Sequence, residues 1–153
     1  MERLFLDSSA AVKYYVQEPG SAAVEKLLVS TEADRVYVAI VTGAEVVAAL
    51  KRAERTAALT ADQAEAAIQR FLEMWQARFM LIAVDEMMIE HAMELARHHG
   101  LRGYDAIQLA CALDLTRSAA EASDKVTLWS SDSELLMAAQ AEGMATRDPT
   151  VAE

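Results

Sequence analysis

Short apolar runs that alternate with helix-length segments constrain the fold of this chain more than any other feature. Arg3–Leu6 and Lys125–Trp129 are strand-like runs, and Arg35–Ile40 alternates aromatic and β-branched residues, a pattern typical of strands. Strands separated by helices pair in parallel, and helices then cover both faces of the sheet. The sequence therefore predicts an α/β fold with a central parallel sheet.

The predicted helices begin and end at recognisable signals. Thr60 and Gln63 have the spacing of a capping box, while Asp85 is placed to cap the next helix and Gly100 to end it. A further strand is predicted over Phe79–Val84. The predicted helices are Ser8–Gln17, Ser21–Ser30, Gly43–Ala58, the amphipathic segment that follows Thr60, Glu86–His99, Asp105–Ala119 and Ser133–Ala141.

Length and composition favour one domain. The chain has 153 residues, 54% of them hydrophobic, and domains commonly span about 100 to 200 residues. We expect a single domain over residues 1–144 and a frayed C-terminal tail over residues 145–153. The longest stretch without charge, Val36–Ala44, has nine residues, against the roughly 20 that a membrane span requires. Because Cys111 is the only cysteine, a disulfide framework is excluded, and we expect a cytoplasmic protein.

Four acidic residues occupy positions where a carboxylate is unexpected. Asp7 and Asp132 each follow an apolar strand and precede a helix, so both belong to the carboxyl edge of the sheet, where open α/β folds build their sites. Glu45 and Asp105 are each the only charge in a long uncharged run. An ionised carboxylate in such a run is costly to bury unless it is paired or bound to a metal.

Each acid taken alone also has a structural interpretation. Asp7, Asp105 and Asp132 are each placed to cap a helix, and Asp105 with Gln108 has capping-box spacing. Glu45 can simply face solvent on its helix. As a set, however, the four acids are placed to converge in one pocket.

An all-oxygen cluster of this kind selects hard cations, Mg²⁺ or Mn²⁺, with water completing the coordination shell. Such ions activate a water for attack on a phosphodiester and stabilise the charge that develops on the phosphorus oxygens. The pattern therefore predicts metal-dependent hydrolysis of phosphoesters.

The four acids lie in sequence blocks whose order and spacing resemble a known family. The blocks are Leu4–Tyr15, Ala44–Val46, Leu101–Ala110 and Trp129–Asp132. Together they make the chain, over roughly residues 3 to 144, resemble the PIN-domain ribonucleases, in particular VapC-type toxins of bacterial and archaeal toxin–antitoxin pairs. Ser130 stands where this family often has Thr, a departure that keeps the hydroxyl.

The resemblance implies a three-layer α/β/α sandwich and a Mg²⁺- or Mn²⁺-dependent ribonuclease. It implies a catalytic quartet in which Asp7 and Asp105 bind the metal and Glu45 and Asp132 complete the set. The supporting hydroxyls that it implies are those of Ser8 or Ser9 and of Ser130. As partners it implies an RNA substrate, a cognate antitoxin protein and a second copy of the chain in a homodimer, and no membrane.

Other readings stay open at this stage. The net charge of −10 argues against a broad basic face for nucleic acid, although Lys13, Lys51, Arg52, Arg55 and Arg102 lie near the motifs and offer local contacts to an RNA backbone. A non-catalytic PIN-fold interaction domain and a PIN nuclease that processes RNA are alternatives to the toxin. A haloacid-dehalogenase-like phosphatase is disfavoured because Ser9 stands where a second Asp is needed. Trp75 belongs either to the core or to an interface.

Overall fold

The computed structural model describes residues 1–152, which build a parallel sheet between two layers of helices. The strands are β1 (Glu2–Leu6), β2 (Val36–Ala39), β3 (Met80–Ile82), β4 (Lys125–Trp129) and β5 (Ala145–Arg147). Their order across the sheet is β3-β2-β1-β4-β5, and every neighbouring pair is parallel. The predicted parallel sheet is confirmed, with β1 at its centre.

Seven α-helices connect the strands within the described residues. They are α1 (Ser8–Ala11), α2 (Ser21–Ser30), α3 (Thr42–Arg55), α4 (Ala61–Ala77), α5 (Glu86–His99), α6 (Gly103–Glu121) and α7 (Ser133–Ala141). The Thr60–Gln63 capping box forms, Asp85 accepts the backbone N–H of Met88, and Gly100 ends α5 with φ at +69°. These local signals predict helix ends well because each satisfies backbone groups that a helix end leaves unpaired.

Alternating side chains of the strands divide the core between the two faces of the sheet. Phe5 and Leu128 pack with α5, α6 and α7, including the buried Leu109. Leu6 packs on the opposite face with α1, α2, α3 and α4, including the buried Phe71. Helices on both faces make the fold a three-layer α/β/α sandwich, as expected. No helix among residues 1–152 has the length and apolar composition that a membrane crossing requires.

The first predicted helix is wrong in its extent. The α-helix that was expected over Ser8–Gln17 ends at Ala11 and tightens into a 3-10 turn over Val12–Tyr14. Tyr15, which follows this turn, is buried with its ring 5.3 Å from that of Phe71. The β-branched and aromatic residues after Ala11 have low helix propensity. The packing of the Tyr15 ring therefore determines where the α-helix ends.

The expectation of a frayed C-terminal tail is wrong for part of that segment. Ala145–Arg147 forms the edge strand β5. The backbone N–H of Ser130 also donates to the carbonyl oxygen of Arg147 at 3.1 Å, which extends the pairing beyond β4. An edge strand of three residues has too short a pattern to be recognised in sequence, and the free edge of β4 supplies the missing pairing.

Trp75 is partly buried and packs against the core that lies between the sheet and α1–α4. A side-chain carbon added at Gly43 would lie 3.1 Å from its indole ring, and the rings of Trp75 and Phe71 are 5.6 Å apart. This contact joins α4 to the first turn of α3, two residues before Glu45, so it favours the core interpretation of Trp75. Leu72, from the same amphipathic stripe, is 43% exposed.

Candidate functional site

Two of the four acids follow adjacent strands at the carboxyl edge of the sheet. β1 and β4 pair along their whole length, and the backbone N–H of Asp7 donates to the carbonyl oxygen of Trp129 at 3.1 Å. Asp7 therefore begins the turn above β1, and Asp132 lies in the neighbouring turn above β4. The position predicted for both residues at this edge of the sheet is confirmed.

Asp7 is buried and held by three donors. The hydroxyls of Ser9 and Ser130 each donate to its carboxylate at 2.7 Å, to Oδ1 and Oδ2 respectively. The backbone N–H of Ala10 donates to Oδ1 at 2.9 Å, so Asp7 also caps α1. The side chain is only 3% exposed. Its position and rotamer are thus determined by groups on both sides of the strand-to-helix turn.

The environment of Asp7 still disfavours its negative charge. Burial raises the pKa of Asp7 to about 6, against the lowering effect of the hydrogen bonds from Ser130, Ser9 and Ala10, and the charge of Asp105 raises it further. No Lys or Arg among residues 1–152 forms an ion pair with this carboxylate. A buried carboxylate without a cation is a group that a bound cation would stabilise.

Asp105 lies in the first turn of α6 and does not cap it. The capping position is held by Arg102, so both the N-cap interpretation of Asp105 and its capping box with Gln108 are wrong. Burial raises the pKa of Asp105 to about 6, and the charges of Asp132, Glu45 and Glu134 raise it further while that of Arg102 lowers it. Asp105 is therefore electrostatically coupled to the other three acids.

Asp132 caps α7 by accepting the backbone N–H of Leu135 at 3.0 Å. Its own backbone N–H donates to the hydroxyl oxygen of Ser130 at 3.0 Å, and that hydroxyl in turn donates to Asp7. Ser130 is fully buried and thus links the turn above β1 to the turn above β4.

The two serines that follow β1 have different contacts. Ser9 donates to Asp7 and accepts the backbone N–H of Ser131 at 2.9 Å. Ser8 instead accepts a hydrogen bond from Gln108 at 3.1 Å. Ser9 and Ser130 are therefore the hydroxyls that contact Asp7, and Ser8 belongs to a second polar cluster.

That second cluster surrounds an amide that the sequence analysis did not assign to the site. Gln108 is 2% exposed, and its Nε2 lies 3.1 Å from Ser8 Oγ, 2.9 Å from Thr42 Oγ1 and 3.1 Å from Glu45 Oε1, so its two N–H groups are shared among three oxygens. Gln108 is an amide in an otherwise apolar helical run, and Thr42 lies in the charge-free run before Glu45. A buried polar residue among apolar neighbours is the signal that points to both.

The donor set suits a hard cation, although no closed metal site is formed. Among residues 1–152, no three acidic, imidazole or thiol side chains lie close enough together to hold a metal by themselves. Mg²⁺ commonly binds through one or two carboxylates and keeps several waters, so a complete protein cage is not required. Two carboxylates with raised pKa values and no ion pair among residues 1–152, next to further oxygen donors, fit such an ion.

Comparison with known proteins agrees with this architecture. The PIN domain profile matches residues 4–141. FitAcB from Neisseria gonorrhoeae is similar in structure, with 19% identity, a TM-score of 0.63 and coverage of 95% of this chain and 97% of that chain. VapBC2 from Rickettsia felis, bound to a DNA fragment from its promoter, has 15% identity and a TM-score of 0.59, over 97% and 98% of the two chains.

A third similar structure is VapC20 from Mycobacterium tuberculosis, described as a sarcin-ricin loop cleaving toxin. It has 17% identity and a TM-score of 0.62, over 98% of this chain and 99% of that chain. At these identities the structural likeness shows the fold. No curated protein matches the chain in sequence.

Proposed function

The chain belongs to the PIN domain family, and on that premise we propose that it is a metal-dependent endoribonuclease that hydrolyses phosphodiester bonds of RNA. We propose further that it is the toxin of a toxin–antitoxin pair. The similar structures support this role, because VapC20 is described as a toxin that cleaves the sarcin-ricin loop and another is a toxin–antitoxin complex from Klebsiella pneumoniae.

The proposal is carried by the placement of Asp105 at the carboxyl edge of the sheet, where its charge acts on Asp7 and where it feels the charges of Asp132 and Glu45. The pKa of Asp105 is raised by its burial and then by the charges of Asp132 and Glu45, and the pKa of Asp7 is raised by its burial and by Asp105. Protonation below pH 6 relieves this unfavourable charge, and at higher pH a bound divalent cation would stabilise the ionised carboxylates.

We assign Asp7 and Asp105 as the metal-binding carboxylates, with Glu45 and Asp132 completing the site, and Mg²⁺ or Mn²⁺ as the ion. When bound, such an ion supplies the activation of a water and the stabilisation of charge on the phosphate. The protein's own contribution is preorganisation. Because Ser9 and Ser130 already fix the Asp7 carboxylate, little rearrangement is needed at the moment of reaction.

Cations near the site are few, and Arg102 is the best placed to contact RNA. It is exposed, it immediately precedes α6, and its charge lowers the pKa of Asp105. Lys13, by contrast, is buried and paired with Glu18 at 2.8 Å, and Lys51 is paired with Glu54. With so few free cations on a chain of net charge −10, binding to RNA should be weak without metal and sensitive to salt.

The partners follow from the same proposal. An acidic site that binds phosphates only through metal ions is open to competition from a cationic side chain, because an arginine matches a carboxylate with two hydrogen bonds. We therefore propose that a cognate antitoxin blocks the pocket. We also propose that the chain forms a homodimer, to which the antitoxin binds.

The direct test is cleavage of RNA by the purified chain in Mn²⁺ and in EDTA. We expect cleavage in Mn²⁺ alone, and a loss of about 100-fold or more in Asp7→Asn and in Asp105→Asn, because an amide keeps the shape of the side chain but removes the charge that an ion requires. Asp114→Asn is the matched control, since Asp114 lies on the same helix as Asp105 but pairs with Arg117 outside the site. It should cleave like the unsubstituted chain.

Three outcomes would contradict the proposal in whole or in part. If the chain binds no metal and cleaves no RNA, it is a PIN-fold interaction domain. Cleavage by both Asn variants at the unsubstituted rate would show that the acids are placed for the fold alone. If the chain cleaves RNA without toxicity in its host, an RNA-processing role replaces the toxin.

A further inference from the structure

Gln108 joins three helices over the carboxyl edge of the sheet. It belongs to α6, which packs on one face of the sheet, whereas α3, which carries Thr42 and Glu45, packs on the other face. Its third acceptor, Ser8, opens α1 and directly follows Asp7. The amide thus connects elements whose apolar packing lies on opposite sides of the sheet.

The orientation of this amide leaves an oxygen without a partner. Gln108 Oε1 is buried and accepts no hydrogen bond within residues 1–152. If the amide were turned over, Oε1 would face the hydroxyls of Ser8 and Thr42, which can both donate. The same turn would bring Oε1 against the Glu45 carboxylate, where two acceptors repel each other. The unpaired oxygen is therefore the consequence of directing the N–H groups toward Glu45.

The contact matters because Glu45 has few other constraints. Within residues 1–152, Gln108 is the only side chain that donates a hydrogen bond to Glu45, and no Lys or Arg forms an ion pair with it. A glutamate side chain has three rotatable bonds and samples many positions unless a partner holds it. Since the hydrogen bond engages Oε1 of Glu45, the other carboxylate oxygen stays available.

We propose that Gln108 is a positioning residue that holds the Glu45 carboxylate in register with Asp7 for cation binding. This inference rests on the proposed function, because it concerns the same site. Gln108 does not touch the cation in this account; it acts through Glu45. The amide leaves its own oxygen unpaired while its N–H groups face Ser8, Thr42 and Glu45, so its orientation serves these oxygens.

The test is calorimetric titration of Mn²⁺ into Gln108→Met, which keeps the length of the side chain and removes its hydrogen bonds. We expect the dissociation constant for Mn²⁺ to rise about 10- to 100-fold. This is the typical effect in metalloproteins when a residue that orients a metal ligand is removed. Gln69→Met is the matched control, because Gln69 also donates to a glutamate at 3.1 Å, but on the exposed face of α4. Its affinity should not change.

A second measurement separates positioning from general damage. In the background of Glu45→Gln, the substitution Gln108→Met should have no further effect on Mn²⁺ affinity, because the carboxylate it positions is gone. Additive effects would overturn the inference. If Gln108→Met does not fold, Gln108→Asn carries the same test, since it keeps the amide but withdraws it from Glu45 by one methylene.

The outcomes also distinguish this inference from the proposed function. If the unsubstituted chain binds Mn²⁺ and Gln108→Met binds it equally well, the positioning role is wrong and the nuclease proposal stands. If the unsubstituted chain neither binds Mn²⁺ nor cleaves RNA, both are overturned.

Discussion

Asp7 serves the fold and the candidate site with the same carboxylate. It caps α1 through the backbone N–H of Ala10, and it receives the hydroxyls of Ser9 and Ser130 from the two neighbouring turns. From the sequence alone, Asp7 can be interpreted either as a helix N-cap or as a metal ligand. One carboxylate can fill both roles, because it has four lone-pair positions. The N-cap hydrogen bond orients the Asp7 side chain. Because no cation in the described part of the chain neutralises its carboxylate, the same group is suited to bind a metal ion.

Ser130→Ala tests this arrangement at the level of a single hydroxyl. The variant loses the hydrogen bond to Asp7 and leaves the backbone N–H of Asp132 without its partner, so we expect a loss of about 1 to 3 kcal/mol in the free energy of unfolding. The pKa of Asp7 should rise further, because the Ser130 hydroxyl lowers it. Urea denaturation measures the first effect and NMR titration the second.

The control for this prediction is Ser130→Thr, which keeps the hydroxyl and should retain most of the stability. Ser133→Ala, at an exposed position three residues on, should change little. If Ser130→Ala unfolds at the same urea concentration as the unsubstituted chain, the hydroxyl does not support Asp7 as described.

At the scale of elements, the site is assembled from turns and helix starts that meet at one edge of the sheet. β1 and β4 bring Asp7 and Asp132 together by direct pairing, whereas Glu45 and Asp105 enter on the first turns of α3 and α6. Backbone hydrogen bonds between the paired strands fix the positions of Asp7 and Asp132. The positions of Glu45 and Asp105 depend instead on side-chain packing and, for Glu45, on the Gln108 amide.

Removing β5 tests whether residues 1–144 form the complete domain, as the sequence predicts. A chain that stops after residue 144 loses the strand and the hydrogen bond from Ser130 N–H to the carbonyl oxygen of Arg147. We expect a lower midpoint of thermal unfolding and weaker RNA cleavage, because the turn that carries Ser130 and Asp132 loses its outer support. A chain that lacks only residues 151–153 is the control.

Equal melting temperatures for the truncated and full chains would instead favour residues 1–144 as the complete domain. The boundary at residue 144 stays a prediction, which this experiment decides.

How much of this was predictable depends on where the stabilising interactions lie. Glu86–His99 and Lys125–Trp129 agree with the predicted ends because the local caps at Asp85 and Gly100 determine the first and a continuous apolar run the second. The 3-10 turn after Ala11 and the strand β5 depend on packing and pairing with distant segments, which a local pattern does not contain. The role of Gln108 was missed for the same reason, since its three acceptors lie 63 to 100 residues away.

At the scale of the whole molecule, the charge balance is unfavourable before any ion binds. The chain carries a net charge of −10, and two of its buried or half-buried acids have pKa values raised to about 6. A group whose folded pKa lies above its unfolded value binds protons more tightly when folded. Protonation of Asp7 and Asp105 therefore favours the folded state, and this contribution is lost as the pH rises through about 6.

Thermal unfolding in EDTA should show this loss of stability with rising pH. We expect the contribution of these two acids to make the metal-free chain more stable at pH 5 than at pH 7.5, and the double variant Asp7→Asn with Asp105→Asn to reduce that difference. Added Mn²⁺ should stabilise the chain more at pH 7.5, where it does not compete with protons. At 100 times the dissociation constant the gain is about 2.7 kcal/mol, or roughly 5 to 10 °C in melting temperature.

An unsubstituted chain whose melting temperature is the same with and without millimolar Mn²⁺ at pH 7.5 would contradict the shared site. A double variant with the same pH dependence as the unsubstituted chain would assign that dependence to other groups.

Calorimetric titration of Mn²⁺ at pH 7.5 decides whether the four acids act together as one cation site. We expect saturable binding to the unsubstituted chain and a loss of that binding in each of Asp7→Asn and Asp105→Asn. Asp114→Asn, on the same helix as Asp105, should bind as the unsubstituted chain does. Binding that survives unchanged in both site variants, or that is equally weak in all four proteins, would contradict this expectation.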